Sequence, residues 1–247
     1  MVSLEIGTVI VSAAVVFIAY IVRGMSGFGT SLVAMPVLVH VLPIHTAVPM
    51  MSSLALVAML LLGVRDREHV RWDEMWRLLG PTLLGVLAGV YIFSLLDAAF
   101  MQKLLGAFIV CYCVYMVVSE WVRSSQARCS THWAYPAGFA GAAIDTMFGG
   151  GGGLLVVIYM HRRRYDKSVF RATLAILWLL ELIMRVGGYA VGGYYDYQLL
   201  LFTAALLPLM WLGNRTGEGI TSAMSAQTFS RVLAAVLFAA GVSLLLK

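Results

Sequence analysis

Two glycine-rich stretches, each followed at once by a short apolar run, hold the residues best suited to bind a ligand in this 247-residue chain. The first reads Arg23-Gly24-Met25-Ser26-Gly27-Phe28-Gly29-Thr30-Ser31, and the second is Gly149-Gly150-Gly151-Gly152-Gly153. Glycine adopts backbone conformations closed to other residues and lets a ligand approach the main chain. A helix that starts after such a break has its first N–H groups unpaired, and they carry a positive partial charge. That combination suits a small anion. Gly27, Gly29, Thr30 and Ser31 stand at the first start, with the Ser26 hydroxyl just upstream. Gly150, Gly151, Gly152 and Gly153 stand at the second. Arg23 offers a guanidinium able to meet a planar or tetrahedral oxyanion with two donors. The competing reading is that glycines merely permit tight helix contact. Clustering at matched breaks favours binding, whereas the scattered Gly85, Gly89, Gly106 and Gly241 are assigned to packing.

Charges inside apolar runs are the second signal, because in lipid they are costly and face a partner or a cavity. Arg171, Glu181 and Arg185 lie in the run 169–192, and Asp145 precedes the second break by one turn. Glu181 and Arg185 stand four apart on one helix face, where they neutralise each other as a structural pair. Arg171 is either a substrate contact or a topology determinant that snorkels from the neighbouring basic loop. Asp145 and Glu181 are candidates for carrying a coupling proton; Asp145 is equally a helix-end polar contact. His40, His45, His69, His132 and His161 lie apart, without metal-ligand spacing. Cys111, Cys113 and Cys129 form neither a disulfide framework nor a redox pair. No catalytic residue, metal or cofactor is expected.

The elements that position these residues follow from composition. Hydrophobic residues make up 61% of the chain and charged ones 12%, against about 25% charged in a soluble domain; the mean hydropathy is +0.90. Lipid is the natural solvent for so much apolar surface. The apolar runs fall into two series of five: 4–22, 31–42, 47–64, 78–96 and 100–119, then 135–148, 154–160, 169–192, 199–213 and 229–246. In each series the second run is short and follows the glycine break, which marks an internal duplication. Residues 1–5 lack the basic region of a cleavable signal peptide, so the first run reads as a retained membrane segment.

Loop charges orient the chain. Arg65, Arg67, Arg71 and Arg77 place the loop between runs three and four of the first half in the cytoplasm, opposite the base-free 41–44. In the second half the bases, from His161 to Arg171, lie between runs two and three, and 194–197 has none. Equivalent loops have switched sides, as inverted repeats require. Arg123 and Arg128 then put the mid-chain linker inside and both termini outside. The net charge of +5 is therefore a matter of topology, and no nucleic acid partner is expected. Trp72, Trp76, Trp121 and Trp133 flank the runs as interfacial aromatics do. Ser52 and Ser53 are pathway-lining candidates, Met50 and Met51 packing residues, and Pro36, Pro81 and Pro208 helix benders.

The expected fold is an all-α polytopic membrane protein, a single membrane domain over 1–247 with repeats at 4–122 and 133–247. Each repeat holds a glycine-interrupted helical hairpin and three transmembrane helices, eight to ten helices in total. Broken helices in inverted repeats are a recurring binding-site construction in secondary transporters. The two breaks are expected to enter from opposite leaflets and converge on one wet pocket.

At these residues the chain resembles the TauE/SafE sulfite exporter family, also called the toluene sulfonate uptake permeases. The stretch from Gly24 through Gly29-Thr30-Ser31 to Met35-Pro36 is similar to the family's glycine-rich entry motif. His69-Val70-Arg71-Trp72 resembles the loop before run four; Phe148 to Gly153 with Val157-Ile158-Tyr159 resembles the second signature, continued by Asp166-Lys167-Ser168-Val169-Phe170-Arg171-Ala172-Thr173-Leu174. Many relatives place a Thr or Pro among the glycines that here run five in succession. The resemblance covers nearly the whole chain. It implies a permease of the bacterial inner membrane for sulfite, an organosulfonate, a related sulfur oxyanion or another small organic anion, in either direction. An alternating-access carrier is the leading reading, an anion channel the second, and a membrane-embedded enzyme the third, since the sequence offers no nucleophile–base pair. The expected partners are the small anion and membrane lipid, with a homodimer left open.

Overall fold

The computed structural model describes residues 6–26, 29–62, 67–121, 129–220 and 237–245. Its helices are α1 (Ile6–Ser26), α2 (Thr30–Val41), α3 (Ile44–Leu62), α4 (Trp72–Leu95), α5 (Ala98–Trp121), α6 (Ala134–Phe148), α7 (Gly153–Arg162), α8 (Lys167–Val191) and α9 (Tyr197–Ile220). Residues 237–245 form a further helix, α10, and single 3₁₀ turns occur at Arg67–His69 and Thr131–Trp133. No strand occurs among the described residues. Six helices, α1, α3, α4, α5, α8 and α9, are long and apolar enough to cross a membrane. At 1.5 Å per residue, the 12 residues of α2 and 10 of α7 reach only about 18 and 15 Å, well short of the roughly 30 Å of hydrocarbon. The chain is an all-α, polytopic membrane protein.

Local chemistry sets the helix ends. Pro43 holds the preceding Leu42 in an extended conformation (φ −127°, ψ 144°), which stops α2 there. Asp196 caps α9, its Oδ1 accepting the Leu199 N–H at 2.6 Å. Asp73 and Glu74 sit in the first turn of α4, favourable against the helix dipole. Helix α4 therefore begins six residues before the apolar run at 78. Exposed Trp72 and Trp76 lie on that added part. The prolines at 36, 81 and 208 all lie inside helices.

The chain forms two compact units: Met1–Ala47, Leu96–Ser125 and Leu201–Lys247 in the first, Val48–Leu95 and Gln126–Leu200 in the second. In the first, α1 packs on α2 and α2 on α5. Gly213 and Gly217, four apart on α9, meet the α1 backbone so closely that a Cβ on either would run into the Phe17 or Ile21 carbonyl. Gly24 lies in the same contact, against Asn214 and Gly217. This corrects the first break as drawn from sequence. Helix α1 continues through Arg23 to Ser26, so Gly24 is a packing residue and Arg23 belongs to a helix turn. In the second unit α4 packs along α6 and α8, and α6 against α7. Gly85 and Gly89 bring α4 onto Phe139 and Thr146 of α6, and in the first unit Gly106 and Gly241 join α5 to α10. The packing assignment of these four glycines holds.

Candidate functional site

The second glycine break lies wholly within the second unit. Helix α6 ends at Phe148, and Gly149 and Gly151 turn the chain with φ of 79° and 105°, values that an L side chain resists. Gly152 then passes so near Gly141 that a Cβ on it would overlap the Gly141 carbonyl oxygen. The unbroken glycine run thus has a geometric cause: the turn needs left-handed backbone, and α7 must start against α6.

Two helix ends meet at this turn, and each leaves backbone groups that its own helix cannot satisfy. Side chains supply the partners. Asp145 Oδ1 accepts the Gly152 N–H at 2.8 Å, with the Gly153 amide also directed at that carboxylate. Tyr189 on α8 donates its hydroxyl to the Thr146 carbonyl near the end of α6. The first donors of α7, which sequence reasoning held ready for a substrate anion, are engaged by the protein's own carboxylate. Gly152 and its neighbours thus set where Asp145 and the start of α7 stand.

Beside the turn, unpaired buried donors lie on α8. Trp178, Glu181, Arg185 and Tyr189, spaced three and four apart, share one helix face. Glu181 and Arg185 are each only 4% exposed, and their closest approach is 3.7 Å between Oε1 and Nη1, a Coulombic contact longer than a hydrogen bond. Arg185 Nε and Nη1 are buried with no hydrogen-bond partner, and so is Trp178 Nε1. The Trp178 nitrogen and Asp145 Oδ2 both flank Gly153, each 3.2 Å from where its Cβ would stand. Asp145, itself 6% exposed, is within electrostatic reach of Arg185 and of Glu181. Buried N–H groups without acceptors are rare in folded chains, and each is expensive unless something meets it. Nearby on α3, Ser52 Oγ donates to the Val48 carbonyl at 2.8 Å, and Ser53 shares a 2.8 Å hydrogen bond with Tyr195.

The other sequence-derived candidates fall elsewhere. Gly150 belongs to the turn itself, with φ 156°. Arg171 is exposed in the first turns of α8, about 15 Å along the helix from Glu181; the structure leaves it beside the basic loop. In the first unit Gly29 (φ 88°) precedes α2, and Thr30 and Ser31 are buried in its first turn. The Arg23 guanidinium lies 5.6 Å from the centroid of the Tyr20 ring. Ser26 is the last residue of α1. Gly27, like Arg123 and Arg128 of the linker, lies outside the described residues.

Sequence reasoning missed two things. Trp178 could have been found from its i, i+3, i+7 relation to Glu181 and Arg185. The second, a cluster around Glu74, left no local signal. Glu74, 1% exposed, accepts from Tyr165 at 2.5 Å, Tyr159 at 2.7 Å, Arg163 at 3.1 Å and Arg77 at 3.3 Å. Burial first, and then the hydrogen bond to Glu74, push the Tyr165 phenol above its usual pKa. Three of these donors meet Oε1 and one, Tyr159, meets Oε2, so the cluster ties α4 to the α7–α8 turn.

A family model described as "Sulfite exporter TauE/SafE" matches residues 12–244 of the chain. No curated protein and no solved structure matches it.

Proposed function

The chain belongs to the sulfite exporter TauE/SafE family, a family of membrane transporters, and on that premise we propose that it is a secondary permease for a small anion. The substrate class is sulfite, an organosulfonate, a related sulfur oxyanion or a small organic anion, moved across the bacterial inner membrane by alternating access. The observation that carries this reading is the set of buried, unpartnered N–H groups beside the glycine turn: Arg185 Nε and Nη1, and Trp178 Nε1. A tetrahedral oxyanion presents several acceptors at once, and a guanidinium is the side chain that meets them in pairs. The indole N–H adds a third donor of fixed direction.

Glycine has a positioning part in this proposal. The Gly149–Gly153 turn (149–153) and its two side-chain caps hold α7 against α6, which fixes Asp145 and Gly153 beside Trp178. The matching order of long and short helices, with α2 and α7 both short and both preceded by glycine, supports a duplication; its inversion rests on loop charge. Thr30 and Ser31 at the start of α2 are a second candidate donor set.

The test is uptake of radiolabelled sulfite and of a labelled sulfonate into proteoliposomes. Wild-type uptake should saturate and show counterflow, and Arg185→Lys should weaken it by at least tenfold, since an ammonium cannot supply the paired donors. A double change of Thr30→Val and Ser31→Ala measures the contribution of the first break. Flux that rises linearly without saturation or counterflow favours the channel. Absence of flux or binding for every sulfur oxyanion and carboxylate tried removes the substrate assignment.

A further inference from the structure

The charge arrangement around Arg185 carries the reading one step further. Two carboxylates, Asp145 from α6 and Glu181 from α8, are buried with a single guanidinium. The charged and titratable groups facing Glu181 are Asp145, Arg185 and Tyr189, with Tyr195 beyond Tyr189 and the Ser52 hydroxyl of α3 beside it. The two acids are held differently. Asp145 is committed to the Gly152 amide at 2.8 Å. Glu181 makes only the 3.7 Å contact with Arg185, and leaves the Nε and Nη1 donors of that guanidinium unused.

We infer that Glu181 is the proton-carrying group of the transporter: its carboxylate and the substrate anion compete for Arg185, and the anion binds when Glu181 has taken up one proton. This deepens the anion-permease reading and rests on it. The charge count supplies the reason. With Glu181 ionised and no anion bound, the cluster holds two negative charges and one positive. Adding an anion to that state would put three negative charges against one in a buried site, which is heavily penalised. With a proton on Glu181 and a monoanion on Arg185, the count returns to two against one. One carboxylate charge is exchanged for one substrate charge, and the proton leaves Glu181 when the anion does. A monovalent substrate would then cross with one proton, and its transport would be electroneutral.

Methanesulfonate is a suitable probe because its own charge does not change between pH 5 and 8. Calorimetric titration of the purified full chain should show the Kd rising about tenfold per pH unit above the titration of Glu181, as one linked proton requires. Runs in two buffers of different ionisation heat should count about one proton taken up per anion. With sulfite as the probe, the same count is made after allowing for its own ionisation. Glu181→Gln should bind with no pH slope and take up no proton. In proteoliposomes wild-type uptake should follow an imposed pH gradient and ignore a potassium diffusion potential, while the Gln variant should follow the potential. Wild-type binding that is independent of pH with no proton uptake overturns the proposal, as does a slope that survives in Glu181→Gln. The wild-type proton count stands by itself if that variant does not fold. Failure of methanesulfonate and sulfite to bind at any pH is a different result, and removes the transport reading together with this one.

Discussion

Gly151 and Gly187 show how differently one residue type can be constrained. Gly151 has φ 105° in the turn, whereas Gly187 is helical and has open space where a Cβ would be. Gly151→Ala should cost about 1–3 kcal/mol of backbone strain and lower transport, whereas Gly187→Ala should be neutral or stabilise by up to about 1 kcal/mol. Thermal unfolding in detergent, read by fluorescence, separates the two. Equal effects would remove the assignment of the glycine run to backbone geometry. Asp145 gives a second contrast. Asp145→Asn keeps an acceptor for the Gly152 N–H, while Asp145→Ala leaves that donor buried and unmet, a loss of about 1–3 kcal/mol. The Ala variant should therefore unfold at a distinctly lower temperature than the Asn variant.

Between elements, small residues and buried polar contacts do the joining. Gly85 and Gly89 admit the α6 backbone to α4, and the Glu74 cluster ties the head of α4 to the α7–α8 turn. Glu74→Ala should destabilise the protein by about 2–4 kcal/mol, because it strips a partly buried Arg163 and two phenols of their acceptor. The Tyr165 contribution has a pH sign. Its phenol titrates later in the folded chain than in the unfolded one. The stability it confers is complete below the ordinary phenol range, near pH 10, and is lost as pH rises through the folded value. Tyr165→Phe should flatten that alkaline decline, and an unchanged decline would show that another group causes it. These partners lie 85 and 91 residues from Glu74 along the chain. Spacing rules, which work over one or two helix turns, had no means of pairing them.

For the molecule as a whole, the six described helices long and apolar enough to span a membrane and the distribution of basic residues make a topology that can be measured. With Cys111, Cys113 and Cys129 changed to Ser, a cysteine at Tyr197, which is 75% exposed, should react from the outer side with a membrane-impermeant maleimide. A cysteine at the exposed His69, in the equivalent loop of the first half, should react only after permeabilisation. Labelling of both from the same side would end the inverted orientation of the halves. The two compact units each draw helices from both halves of the sequence, so contacts in the folded chain follow a different division from that into an N-terminal and a C-terminal half.

Lipid embedding, the run of long and short helices and the position of the second glycine turn were all determined by sequence alone. Each depends on a local property: hydropathy over about 20 residues, or a backbone angle that only glycine tolerates. The family resemblance lay in the same segments. Tertiary structure decided which buried polar groups meet. It gave the α7 amide to Asp145, left Arg185 and Trp178 with unused donors, kept Arg171 at the exposed start of α8, and surrounded Glu74 with donors. It also drew Arg23 and Gly24 into α1, where Gly24 serves contact with α9. The reason is physical: a polar group buried in a helical bundle is stable only with a partner in reach, and reach is set by how closely the helices approach.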